Sequence, residues 1–133
     1  MSYGNAAQAY QANDVMGRPP EQLVVLLYEH LLVNLRRSAL QIHRGDIEGK
    51  TRSLGRASDI VFELLSALDR EKGGELASRL AALYGYFISE ISQIGRTLDQ
   101  ERLARLISIV ASLHTSWIEA AKQVAAGRQE AVQ

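Results

Sequence analysis

The chain contains no cysteine. Disulfides and thiolate metal sites are therefore excluded, and a reducing compartment is the expected setting. It has no net charge either: 15 basic and 15 acidic residues balance at neutral pH. Wholesale attraction to nucleic acid or to anionic lipid has no source in such a chain. The basic pair Arg36–Arg37 is too small to form a patch. No apolar run approaches the ~20 residues of a membrane span. The opening MSYGNAAQAYQAND lacks the basic stretch and continuous apolar core of a secretory signal. A soluble, cytoplasmic protein is expected. No segment alternates with period two, and there is no internal repeat, so strands are not expected.

Catalytic anchors are missing as well. The three histidines are His30, His43 and His114. No two of them fall three or four apart on one helix, and no Glu-x-x-His pattern offers a di-metal site. No serine sits in a nucleophile-elbow pattern. Gly73–Gly74 is too short a glycine run to cradle phosphate. Asp69, Glu71 and Glu75 read as a solvated turn. No enzyme, metal or cofactor is expected.

What the chain does have is helical periodicity, with 47% apolar residues in 133, enough for one domain with one core. Helices are expected at about 20–44, 46–68, 75–97 and 99–126. The only two prolines, Pro19 and Pro20, open the first, where a missing N–H costs nothing. Asp46 and Asp99 cap the second and fourth. Gly45, Gly73 and Gly127 are placed to end helices. Gly49 and Gly55 should soften the first half of the second helix. Short turns between long helices give an all-α, antiparallel up-down four-helix bundle. Residues 1–18 form a mobile N-terminal segment with a short helix or cap, and 127–133 a frayed tail.

Two faces exceed what a plain bundle needs. On helix 1, Leu23, Val24, Leu27, Leu31, Leu35 and Ile42 form one stripe, which Val25, Tyr28, Leu32 and Ala39 widen. The apolar arc reaches roughly 200°, against ~100° for a simple surface helix. Either this helix is central or part of the arc faces a second groove. On helix 3 no charge falls between Arg79 and Glu90, and Ala81, Ala82, Gly85 and Ser89 point away from its stripe. A small neutral face lets another backbone approach. Taken singly, each aromatic reads as core; together, these faces offer surplus apolar surface that suits a protein partner. Self-association into a homodimer is the simplest alternative. A histidine phosphotransfer module using His43 or His30 is the alternative from another class, although His43-Arg44-Gly45 comes at a helix end.

The motifs also resemble a known family. Ala9-Tyr10-Gln11, Pro20-Glu21-Gln22-Leu23, Leu27-Tyr28, Gly45-Asp46, the Leu64-to-Leu68 run, Asp69, Gly73-Gly74, Leu80, Leu83-Tyr84, Tyr86 and Trp117 occur in the order found in the flagellin-specific export chaperones, the FliS family. The similarity extends from about Ala7 to Lys122. It departs from the family pattern at Glu29-His30, at Gly85 and at Gly17-Arg18-Pro19. The resemblance implies a non-enzymatic chaperone that holds the C-terminal segment of flagellin in the cytoplasm, prevents premature polymerisation and assists delivery to the flagellar type III export apparatus. It implies export-apparatus components and a co-chaperone or regulator as further partners, and neither nucleic acid nor membrane. Tyr10, Val15, Leu27, Tyr28, Leu83, Tyr84, Tyr86 and Phe87 are the residues expected to meet the partner. The N-terminal segment is expected to lie in the client groove when the groove is empty. Its removal through residue 16 should then alter affinity and leave thermal stability nearly intact.

Overall fold

The structure, a computed structural model, describes residues 8–10 and 19–132. Four helices fill the described chain: α1 Pro20–Arg44, α2 Ile47–Ser66, α3 Arg70–Thr97 and α4 Gln100–Val132. They form an all-α bundle. α1 packs against both α2 and α4, and α2 packs against α3. The wide apolar arc of α1 is thereby explained: the helix is central and has two neighbours to satisfy. α3 and α4 follow each other through the two-residue turn Leu98–Asp99, yet they share the least contact of any neighbouring pair.

The turns show how the sequence sets the ends. Pro19 is the N-cap of α1 and Pro20 its first residue. The Asp46 carboxylate accepts from the Gly49 N–H at 2.9 Å and opens α2. Asp69 does the same for α3, accepting from Lys72 N–H at 3.0 Å, and Asp99 for α4, accepting from Arg102 N–H at 3.1 Å. These bonds satisfy backbone donors that a helix start otherwise leaves unpaired.

Three helix ends differ from the periodicity reading. α2 ends at Ser66, and α3 starts at Arg70 rather than near Glu75. The reason is the Asp69 cap, which starts a helix before the glycines. Gly73–Gly74 then lies inside α3 as a kink, with Gly74 at φ 53° and ψ −130°, a conformation that costs glycine little. α4 runs through Gly127 to Val132. There Arg128 pairs with the carboxylate of Glu21 on α1, which gives the last turns of α4 a tertiary tether.

The core runs the length of the bundle. Tyr28, Leu31 and Leu35 of α1 meet Val61 and Leu64 of α2, Tyr84, Phe87 and Ile94 of α3, and Leu103, Leu106 and Val110 of α4. Burying each such side chain stabilises the fold by roughly 1.5–3 kcal/mol. The first half of α2, expected to be soft, is held by polar contacts. Buried Lys50 donates from Nζ to the Gly95 carbonyl of α3 at 3.0 Å. The Ser53 hydroxyl and the Gln41 amide lie 2.7 Å apart.

Candidate functional site

The site begins at one end of the bundle, where the described part of the N-terminal segment is pinned. Ala9 and Tyr10 are buried. The Ala9 carbonyl accepts from the Asp69 N–H at 2.8 Å, and Tyr10 makes an antiparallel bridge to Leu68. Gly73 makes room for this. A Cβ there would stand 2.8 Å from the Cα of Ala9 and 2.7 Å from the Ala77 methyl, closer than carbon atoms pack. The two glycines therefore divide the work: Gly74 takes the positive φ, and Gly73 lets the N-terminal backbone lie on α3.

Tyr10 continues into a cluster of hydroxyls. Its OH bonds the Tyr84 OH of α3, and the Tyr84 OH lies 2.8 Å from the Tyr28 OH of α1. The Trp117 ring of α4 closes the cluster, 5.6 Å from Tyr10 edge to face and 6.1 Å from Tyr28. Each hydroxyl is satisfied by another, which is what burial of a phenol requires. Burial, reinforced by the neighbouring phenols, pushes all three tyrosines well above the ordinary phenol range. They are neutral, structural groups with no acid–base work at physiological pH.

Next to this cluster the seam between α3 and α4 is open. A cavity of about 560 Å³ is lined by Leu76 and Leu80 of α3 and by Leu113, Ser116, Trp117 and Ala120 of α4. A second, of about 430 Å³, lies against Leu83, Ser108, Ile109, Ser112 and Leu113. Leu113 borders both. Together they form an apolar groove with Trp117 in its wall at one end. Tyr86 of α3 is 45% exposed and its ring lies 6.1 Å from Phe87. Further toward the Leu98–Asp99 turn the seam is closed. Arg102 of α4 makes a two-pronged bond to Glu90 of α3, from Nε to Oε2 and from Nη2 to Oε1, the latter 3.1 Å. That bond holds the Glu90 carboxyl below the usual carboxylate range.

The residues expected to meet a partner separate into groups. Tyr10, Leu27, Tyr28, Tyr84 and Phe87 are buried; four of them are the cluster beneath the groove or its neighbours, and Leu27 lies on α1. Leu83 lines the groove, and Tyr86 is exposed on α3. Val15 lies outside the described residues. The reading missed the α4 wall: Ser108, Ile109, Ser112, Leu113 and Ser116. A signal for it was present. No Asp, Glu, Lys or Arg occurs between Arg105 and Glu119, the same absence that marked α3. The small outer face of α3 is exposed at Ala82, Gly85 and Ser89, with nothing within 4 Å of a Cβ built at Gly85. Among the described residues no group of three or more His, Asp or Glu is placed to hold a metal ion, and no helix is long and apolar enough to cross a membrane.

Four packed helices with an apolar groove along one seam define the structural class: an all-α bundle with an open helix–helix groove. The particular family follows from sequence comparison. The model of the family described as "Flagellar protein FliS" matches residues 3–124. The chain is 32% identical to the flagellar secretion chaperone FliS of Campylobacter jejuni, over 86% of this chain and 89% of that one. It is 31% identical to the flagellar secretion chaperone FliS of Salmonella typhimurium, over 84% and 83%. A crystal structure of a bacterial flagellar chaperone superposes with a TM-score of 0.74 at 19% identity, covering 90% of this chain and 98% of that one. The chain belongs to the FliS family of flagellar secretion chaperones, which are not enzymes. That membership displaces the phosphotransfer alternative.

Proposed function

We propose that this protein is a cytoplasmic export chaperone that holds the C-terminal segment of flagellin in the α3/α4 groove. Held there, the segment is kept from premature polymerisation until delivery to the flagellar type III export apparatus. The observation that carries this reading is the open apolar seam between two helices adjacent in sequence. Leucines at the spacing of Leu76, Leu80 and Leu83, opposed by Ile109 and Leu113, match the face of an amphipathic helix. A client that is disordered when free loses entropy on ordering, and burial along such a groove offsets it.

Tyr10 is the second element of the reading. It packs on Trp117, and Trp117 also lines the groove. A client that reaches the Trp117 ring competes with Tyr10, so the N-terminal anchor is exchanged for the client. Because Ala9 and Tyr10 are buried, removing residues 1–16 costs stability as well as changing affinity, contrary to the expectation drawn from the sequence. Sedimentation of the protein with intact flagellin and with flagellin lacking its C-terminal segment tests the function. A complex with the first only supports it; equal binding of both, or of neither, refutes it.

A further inference from the structure

The outer face of α2 has unused chemistry. Arg52, Gly55, Arg56, Asp59, Phe62 and Glu63 recur at spacings of three and four, so they share one face, and all six are exposed. Phe62 is a large aromatic with 52% of its surface open to solvent. Gly55 is costly, because glycine inside a helix is less stable than alanine. Nothing lies within 4 Å of where its Cβ would stand. Gly49 of the same helix has an internal reason, since a Cβ there would collide with the Asp46 carboxylate. Gly55 has no such reason. The charges on this face are sorted by sign. Arg52 and Arg56 lie four apart toward the helix start, and Asp59 and Glu63 four apart toward its end. Like charges at that spacing repel each other. Glu63 also stands in the last turn, where the helix dipole disfavours an acid. None of the four makes an ion pair among the described residues. The other charged groups of α2 are occupied: Glu48 in the first turn, where the dipole favours it, and Lys50 on the Gly95 carbonyl.

A face that is basic toward one end and acidic toward the other complements itself when turned end for end. We propose that α2 is a contact surface for a second copy of this chain, packed antiparallel about a two-fold axis that passes between Arg56 and Asp59. The axis sets Arg52 against the second copy's Glu63, Arg56 against its Asp59 and Phe62 against its Gly55, and symmetry makes each contact twice. The space left at Gly55 takes the aromatic ring as a hole takes a knob. The two Asp59 side chains are the like charges nearest the axis, and an Arg56 from the other copy answers each. From Arg52 to Glu63 is ~17 Å, about three turns. One helix pair of that length buries less than about 1,200 Å², the small end of specific interfaces, so the dimer is weak, and its exposed ion pairs make it salt-sensitive. α2 packs against α1 and α3 and not against α4. The contact therefore leaves the α3/α4 groove of each copy open, and it stands whether or not flagellin occupies that groove.

Sedimentation equilibrium of the full chain at low ionic strength reads the association. Arg52→Glu with Arg56→Glu makes the face acidic throughout, and Asp59→Arg with Glu63→Arg makes it basic throughout. The wild type is expected to dimerise, and each double variant to associate at least about tenfold more weakly. An equimolar mixture of the two double variants is expected to recover a dimer. The quadruple variant with all four changes is self-complementary again and is expected to dimerise alone, which also shows that these exposed substitutions leave the fold intact. A wild type that stays monomeric, double variants that dimerise as well as the wild type, or a mixture and a quadruple variant that both stay monomeric, overturns the proposal.

Discussion

The Cα of Ala9 lies over Gly73 at a distance that leaves no room for a methyl group between them. A glycine that reads in the sequence as a helix stop is instead the seat of the N-terminal segment. Gly73→Ala should lift Ala9 and Tyr10 from their place and destabilise the protein by ~1–3 kcal/mol, as overpacking does. Thermal unfolding measures the loss. Exchange-broadened resonances of the Tyr10 ring would show that the anchor is the part disturbed.

Tyr10→Ala separates anchoring from binding. It empties a place in the core beside Trp117 and should cost ~2–4 kcal/mol. If Tyr10 and the client compete for the Trp117 ring, the variant binds flagellin more tightly despite being less stable. Calorimetric titration reads this directly. Weaker or equal binding would mean that Tyr10 is core only.

The three buried tyrosines make stability depend on pH in the alkaline range. Each has its pKa raised in the folded state above the ordinary phenol value of 10.0, so the unfolded chain releases these protons first. Their contribution is fully present below about pH 10 and is lost as pH rises. Stability should hold level up to about pH 9 and then fall with a slope that steepens toward three protons. Urea unfolding at a series of pH values checks the slope. Tyr84→Phe, which removes the central hydroxyl, should flatten it.

Glu21 is buried at the start of α1, and its ion partner is Arg128 on the half-exposed last stretch of α4. Removing the arginine leaves a buried carboxylate without its counter-charge. Arg128→Ala should cost ~1–3 kcal/mol, and hydrogen exchange should accelerate at the end of α4. The double variant Glu21→Leu with Arg128→Ala should recover most of the loss, because no charge is then stranded.

Much of the bundle was legible in the chain because helix signals are local. The Pro19–Pro20 start, the Asp46 and Asp99 caps and the leucine periodicity each act within a turn or two. What was not legible depends on distant residues. Gly127 reads as a stop until Glu21, over a hundred positions away, holds Arg128 and carries α4 past it. Gly73 reads as a stop until Ala9 is seen against it. Tyr28 and Tyr84 read in the sequence as residues that meet a partner; the structure buries both and joins them through hydroxyls to Tyr10 beside Trp117. The α4 wall was overlooked because a stripe of Leu and Ile looks the same in sequence whether its neighbour closes over it or stands apart. The separation of α3 from α4 is a tertiary fact.

The central claim is that the seam between those two helices is where the flagellin segment binds. Leu83→Asp with Ile109→Asp tests it, since both side chains are partly exposed and line the groove. Calorimetric titration of the wild-type and variant proteins with the flagellin C-terminal peptide is the decisive measurement. Binding by the wild type and at least a tenfold loss in the variant, about 1.4 kcal/mol, with the melting temperature little changed, is the result expected. Equal affinity in the two proteins would place the client elsewhere and contradict the account.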